Sequence, residues 1–226
     1  VAGVINLERL GGIVTKAVSR EPRAGNRAPR VAEFAAGMLN SVGLANPGLA
    51  HVRVEELPWL MRSLQAARVI VNVVGFVEQD FAEVVAGLDE FDGVSGFELN
   101  LSCPNTHAGG VEFGADPRTV ARVIELCRAR TRRPLIVKLS PALPDIAGMA
   151  LVARDAGAHG VAVVNTMPGY LSDSTGQARL GNGHGGVSGP ALLPVGVLAV
   201  RRIMERSGGM PVIGVASSEW DDEALR

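Results

Sequence analysis

GFELNLSCPNTHAGGVEFG, residues 96–114, is the stretch that decides the fold. It opens as an apolar strand, Gly96–Leu101, with Val94, Phe97, Leu99 and Leu101 suited to burial, and it ends abruptly in polar, chemically capable side chains. Asn100, Ser102, Cys103 and Asn105 crowd the point where strand gives way to loop, which is where a parallel sheet does its chemistry. Pro104 stops the strand, and Gly109, Gly110 and Gly114 give the following segment the freedom of a lid over a small ligand. A lone cysteine at a strand end is more often a small buried apolar residue than a nucleophile or base. The flanking asparagines weigh against that reading here, because asparagine is poor in strands and costly to bury without partners.

The segments on either side repeat one plan. Upstream, Gly11–Ala17 reads as a buried strand ending in Lys16, followed by a Pro-, Arg- and Asn-rich connection through Arg30 with the look of a long functional loop. Residues 37–48, GMLNSVGLANPG, are turn-rich, and Val52–Leu64 reads as a helix despite Pro58 near its start. RVIVNVV at 68–74 is an apolar strand broken by Asn72, and Glu78–Phe91 is an amphipathic helix with Phe81, Val84, Val85 and Leu88 on one face. Downstream, Asp116 followed by Pro117 is a strong helix start, with Val120, Val123, Ile124 and Cys127 as the apolar stripe. There follow a strand at Pro134–Leu139, a helix at Asp145–Ala156, a strand at Gly160–Asn165, a long loop, a helix at Ala191–Ser207 and a strand at Pro211–Val215.

Continuous aliphatic strands separated by helices predict a parallel sheet covered by helices, with at least six strands in a single α/β domain spanning residues 1–226. The closed form of that architecture, the (β/α)8 TIM barrel, takes about 250 residues, so the chain reads as one or two units short of it. A 47% hydrophobic composition and a formal charge of −1 exclude a disordered or nucleic-acid-binding chain. The two cysteines, Cys103 and Cys127, form no disulfide framework, and a reducing, cytoplasmic setting is expected. No apolar run reaches the roughly 18 residues of a membrane helix, and the opening VAGVINLERLGG lacks the plan of a signal peptide. No histidine or acidic spacing resembles a metal site. His107 and His184 read as solvated loop residues, and the charge runs Arg128–Arg133 and Glu219–Glu223 as solvated helix ends.

What stands at the carboxyl end of each strand carries the functional reading: Lys16, Asn72, Asn100 with Cys103, Lys138, and Asn165 with Thr166. In a barrel those ends converge on one face, so residues far apart in sequence form one site of amides, ammonium groups and a thiol. Lysines in an apolar strand context need an anion or an electron-rich partner. A planar ligand with carbonyl, imide and carboxylate groups satisfies both them and the asparagines.

ELNLSCPN at Glu98–Asn105, with GMLNSVGLANPG, PLIVKLSP, VVNT and GGVSGPA in that spaced order, resembles the class 1 dihydroorotate dehydrogenases over nearly the whole chain. EPRAGNRAPR at Glu21–Arg30 and the lid sequence SCPNTHAGGVEFG are most similar to the B type, which couples to an iron–sulfur flavoprotein subunit and NAD. The resemblance implies an FMN-dependent oxidoreductase acting on a CH–CH bond, converting (S)-dihydroorotate to orotate in pyrimidine biosynthesis. It places Cys103 as the catalytic base. Lys16, Asn40, Ser41, Val42, Gly43, Leu44, Asn100, Asn105, Asn165 and Thr166 fall on the substrate contacts, and Lys16, Ala17, Asn72, Asn100, Lys138, Val164 and Gly189 on the flavin contacts. It further implies a homodimer within a heterotetramer, with FAD and a 2Fe–2S cluster on the partner subunit. A free thiol titrates near about 8.5, so ammonium groups, flavin and amide dipoles would have to favour the Cys103 thiolate.

The chain departs from the family pattern in three places. It starts after the family's first barrel strand. Gly214-Val215-Ala216-Ser217 stands where a Gly-x-Gly-Gly phosphate loop is expected and the final strand is missing, so no phosphate contact is assigned. Arg27 takes the place of a proline. Two other functions are compatible with the motifs. One is a dihydropyrimidine dehydrogenase-like flavin module, which Asn105 weighs against. The other is a flavin-less non-catalytic subunit, against which stands the retention of Cys103, Lys16 and Lys138 together.

Overall fold

The computed structural model describes residues 7–102 and 113–215. Among them the chain runs through β1 (Gly12–Val14), β2 (Val31–Phe34), β3 (Gly37–Asn40), α1 (Gly48–His51), α2 (Leu57–Ser63), β4 (Arg68–Val73), α3 (Glu78–Leu88) and β5 (Val94–Asn100). It continues through α4 (Pro117–Arg128), β6 (Leu135–Lys138), α5 (Ile146–Asp155), β7 (Gly160–Val163), β8 (Met167–Gly169), β9 (Gly185–Ser188), α6 (Leu193–Arg206) and β10 (Val212–Gly214).

Six of these strands form one parallel sheet in the order β1-β4-β5-β6-β7-β10, with α3, α4, α5 and α6 in the crossovers. This is the expected barrel plan, a curled parallel sheet with its helices outside. The face toward the helices is apolar: Val69, Val71 and Val73 of β4, Phe97 and Leu99 of β5, Leu135 and Val137 of β6, and Val161 and Val163 of β7. Onto it pack Phe81, Val84, Val85 and Leu88 of α3, Val123, Ile124 and Cys127 of α4, and Ala150 and Ala153 of α5. Each large side chain sealed there contributes about 1.5–3 kcal/mol relative to exposure. Helix starts follow the sequence signals. Asp116 accepts from the Thr119 N–H at 3.0 Å, with Pro117 in the first turn of α4, and Asp145 accepts from the Gly148 N–H at 2.9 Å to cap α5.

Side chains alternate along a strand, so the opposite, concave face carries Ile70 and Asn72, Gly96, Glu98 and Asn100, Ile136 and Lys138, and Ala162. Register sets them in layers: Asn72 lies beside Glu98, and, one layer nearer the carboxyl ends, Asn100 lies beside Lys138.

Several regions differ from expectation. The segments read as a turn-rich stretch at 37–48 and a long loop after Asn165 contribute β3, β8 and β9, which with β2 build a second, antiparallel sheet in the order β2-β3-β9-β8. Its strands have three or four residues, too short for alternation to show, and their pairing is set by distant partners such as Met38 with Ser188. Ala32, Leu39 and Leu180 form its own small core. The helix read as Val52–Leu64 starts earlier, at Gly48, and widens to a π turn over Val52–Glu56. Pro58 has no N–H to give to the carbonyl four residues back, and the helix relaxes just ahead of it. The arginine run after α4 is also not simply solvated. Arg128 donates to the Arg133 carbonyl at 2.9 Å, and Arg133 donates to Asp89 Oδ1 at 3.2 Å and the Asp89 carbonyl at 3.0 Å. Glu219–Glu223 lies outside the described residues.

Candidate active site

After β3 the chain turns sharply through Ser41–Leu44, with Gly43 at φ +75° and Leu44 at φ +58°. The left-handed conformation is natural for Gly43 and costs Leu44 about 1–2 kcal/mol. The loop 20–30 holds this turn in place. Asn26 donates its backbone N–H to the Val42 carbonyl at 3.1 Å and its side-chain amide to the Ser41 carbonyl at 3.2 Å and hydroxyl at 2.8 Å. Arg23 and Asn46 exchange backbone hydrogen bonds at 2.8 and 3.1 Å, and the Arg23 guanidinium lies 4.2 Å from the Phe76 ring centre. The backbone N–H groups of Val42, Gly43 and Leu44 donate to no acceptor among the described residues. Successive free N–H groups in such a turn make an anion-binding concavity.

Opposite the turn, the ends of β5 and β7 are cross-linked. The Thr166 N–H donates to Asn165 Oδ1 at 2.8 Å, Asn165 Nδ2 donates to Ser102 Oγ at 2.7 Å, and Ser102 Oγ donates to Asn100 Oδ1 at 2.9 Å. These bonds engage both ends of the Asn165 amide and the Oδ1 of Asn100, leaving Asn100 Nδ2 without a partner among the described residues and free for a ligand. Asn40 Nδ2 donates to the Gly186 carbonyl at 3.3 Å, joining the turn to β9.

A cavity of about 360 Å³ lies between these parts. Of the residues expected from sequence, Lys16, Asn40, Ser41, Val42, Gly43, Leu44, Asn100, Asn165 and Thr166 line it together. Ala17, Asn72, Lys138, Val164 and Gly189 do not line it. Asn72 and Lys138 lie on the concave face of the sheet, Ala17 and Val164 are buried, and Gly189, at φ +108°, sits close against Gly37. Cys103, Asn105, His107 and the glycines read as a lid, apart from Gly114, lie outside the described residues. Five lining residues were not anticipated: Ser140, Pro168, His184, Gly185 and Gly186. The clustered glycines of GNGHGG were their signal, since a side chain at 185 or 186 would run into the Asn40 carbonyl or Thr166. His184, read as an ordinary loop residue, therefore faces the cavity.

Among the described residues no acid lines the cavity, and Lys16 supplies a cation. Neither the Lys16 nor the Lys138 ammonium has an ion-pair partner among the described residues. The arrangement suits an anionic ligand rich in amide or imide groups. Larger hollows lie between β1 and α2 and beside Arg128–Arg133, but neither collects the polar strand ends of β5 and β7.

The fold and site thus define a (β/α)8-type enzyme whose small-molecule cavity sits at the carboxyl ends of the strands. The sequence profile of the family described as dihydroorotate dehydrogenase matches residues 1–222. The chain is 42% identical over 221 residues to the dihydroorotate dehydrogenase B (NAD(+)) catalytic subunit of Listeria welshimeri, covering 97% of this chain and 72% of that one. To the subunit of the same name from Pelobacter propionicus it is 40% identical over 225 residues, covering 99% and 73%. For Streptococcus pneumoniae the match is 42% over 223 residues, covering 97% and 71%. Among solved structures, that of an Eimeria tenella dihydroorotate dehydrogenase in complex with ferulenol superposes with a TM-score of 0.72 at 22% identity. That superposition spans 90% of this chain and 62% of the Eimeria chain, a likeness of fold. This chain belongs to the dihydroorotate dehydrogenase family.

Proposed function

We infer that the chain is the catalytic component of a B-type dihydroorotate dehydrogenase, oxidising (S)-dihydroorotate to orotate in pyrimidine biosynthesis. One observation carries the reading. One cavity, with no acid among its described lining residues, joins Lys16 and the free N–H groups of Val42–Leu44 to the locked amides of Asn100 and Asn165. Dihydroorotate offers what that lining complements: a carboxylate for the N–H concavity, and ring carbonyl and N–H groups for the asparagines.

The reaction removes a proton from C5 and a hydride from C6. FMN, when bound, supplies the hydride-accepting ring. The residues present fit a flavin: Asn72 Oδ1 is buried without a hydrogen-bond partner among the described residues, and Lys138 brings an unpaired ammonium to the same face. Lys16, Ala17, Asn72, Asn100, Lys138, Val164 and Gly189 would hold the cofactor, with the Lys138 charge favouring the reduced ring. Cys103 follows Ser102 directly in sequence and is the group we assign as base, taking the C5 proton as thiolate. Asn105 joins the substrate amide contacts. Ser102 holds both amides toward the pyrimidine ring, Asn100 with its whole Nδ2 group free and Asn165 with the second hydrogen of Nδ2 and the second lone pair of Oδ1 left to contact it.

The relatives' names, catalytic subunits of an NAD(+) enzyme, support a partner that carries electrons onward. We assign that role to an iron–sulfur flavoprotein with FAD and a 2Fe–2S cluster, on a homodimer of this chain within a heterotetramer in the cytoplasm. No helix among the described residues is long and apolar enough to cross a membrane. The test is anaerobic mixing of the FMN-loaded protein with dihydroorotate, following flavin bleaching and orotate absorbance, beside Cys103→Ala and with dihydrouracil as control. Bleaching by dihydroorotate alone, lost in Cys103→Ala, is the expected result. Bound flavin that dihydroorotate leaves oxidised would overturn the reading.

A further inference from the structure

One buried acid has no place in the function just described. Glu98 sits on the concave face of β5, only 3% exposed, one layer beneath Asn100, which lines the cavity. Its Oε1 accepts a hydrogen bond from Asn72 Nδ2 at 2.5 Å. Glu98 Oε1 is the acceptor in this bond, so it dictates which end of the neighbouring amide faces it. The NH2 of Asn72 must point to Glu98, and Asn72 Oδ1 is thereby turned away from it. That oxygen is buried, on a side chain itself 6% exposed, and meets no donor among the described residues. A buried acceptor left in this state is the mark of a missing donor.

We propose that Glu98 is a positioning residue that holds the Asn72 amide with its carbonyl outward, as the acceptor for the imide N–H of the bound flavin ring. The inference rests on the reading of the chain as a flavin-dependent dehydrogenase. The chemistry is selective: the oxidised ring carries a single N–H donor, flanked by two carbonyls, and only an acceptor satisfies it. Were the amide reversed, two donors would face each other across the same gap. The acid is therefore needed for its inability to donate, and its length matters less.

Two conservative substitutions separate that role from a merely structural one. Glu98→Gln keeps the shape of the side chain but can donate to Asn72 Oδ1, which frees the amide to reverse. Glu98→Asp keeps the acceptor-only chemistry but shortens the reach. FMN is titrated into the apo forms of the full chain and followed by quenching of flavin fluorescence. The hydrogen bond at the imide N–H is read from the deuterium shift of the flavin resonance Raman bands. Glu98→Gln should weaken FMN binding 10- to 100-fold and change the Raman shift, and Glu98→Asp should lie nearer the parent protein on both measures. In an Asn72→Ala background, Glu98→Gln should alter the FMN dissociation constant less than twofold. Affinity and Raman shift that follow shape, with Gln nearer the parent than Asp, would overturn the proposal, as would unchanged binding in Glu98→Gln. If the parent protein binds FMN and bleaches with dihydroorotate while either overturning result is found, only the assignment of Glu98 falls. Failure of the parent to bind FMN removes the functional reading and this inference with it.

Discussion

Replacing Gly43 by alanine tests the anion-binding turn most directly. Gly43 has φ +75°, and a Cβ built on it would lie 2.6 Å from Asn26 Cγ and 2.6 Å from the Asn26 backbone nitrogen. Ordinary van der Waals contact begins at 3.4 Å, so loop 20–30 or the turn must retreat by about 0.8 Å. The atoms in the way belong to the residue that ties the turn down, through hydrogen bonds of 2.8 and 3.2 Å to Ser41 and of 3.1 Å to Val42. A shift of that size breaks at least two of them, at about 1 kcal/mol each. Left-handed backbone in a residue with a Cβ adds about 1–2 kcal/mol. The expected loss of stability is therefore about 3–4 kcal/mol, a fall in Tm on the order of 10 °C for a chain of this size. Orotate affinity should drop more than the fold suffers, because displacing the Val42–Leu44 N–H groups by nearly an ångström misaligns the carboxylate contact about 100-fold. Calorimetric orotate titration of the FMN-loaded variant, beside a thermal melt, checks both numbers. A variant that melts within 2 °C of the parent, or binds orotate within threefold, would refute the assignment of this turn as the carboxylate cradle.

Other outcomes follow from the same geometry. Ser102→Ala removes the hydroxyl bridging Asn165 and Asn100, two hydrogen bonds of about 1 kcal/mol each. Orotate binding should weaken on the order of 10-fold with a much smaller effect on FMN binding, and equal losses in the two titrations would contradict the placement. Asp145 is held below the usual carboxylate range, chiefly by the Gly148 N–H and then by Arg206. A depressed folded pKa stabilises above the unfolded value near about 3.9 and is lost as pH falls through the folded one. The Tm difference between the parent and Asp145→Asn should thus be constant from neutral pH down to about 5 and shrink below about 4; a difference that grows in acid would reverse the sign argued here. Burial pushes the Cys127 thiol up to about 12. In Cys103→Ala, thiol reagents at pH 8 should find no reactive group until denaturant is added, and rapid labelling of the native variant would show that α4 does not seal it.

How far the molecule was legible in its sequence depended on distance along the chain. The strand RVIVNVV, the helix from Glu78 and the Asp116-Pro117 start depend on periodicity and capping within a few residues, and each lies within a few positions of its expected place. Lys16, Asn100 and Asn165 stood out because each closes an apolar run, and all three line one cavity. The antiparallel sheet was invisible because strands such as Gly37–Asn40 carry no alternation of their own and exist only by pairing with Gly185–Ser188. With it went Pro168, His184, Gly185 and Gly186, whose position at the cavity depends on that pairing. Glu98 was hidden for a different reason. Nothing local tells an acid in a strand apart from its neighbours until register sets it beside Asn72.

The antiparallel sheet also says something about the order in which this molecule is made. Met38 and Ser188 meet across 150 residues of chain, whereas β4, β5, β6 and β7 follow one another through single helical crossovers. Loop closure over that span carries an entropy penalty of about 4 kcal/mol that no contact repays until the intervening strands have aligned. The β3–β9 pairing that completes the rim of the cavity is accordingly expected to close after the central strands have consolidated, an order that pulse-labelling hydrogen exchange checks. A nascent or partly unfolded chain can hold most of its aliphatic core and still lack the rim, so ligand capture is reserved for molecules that have finished folding.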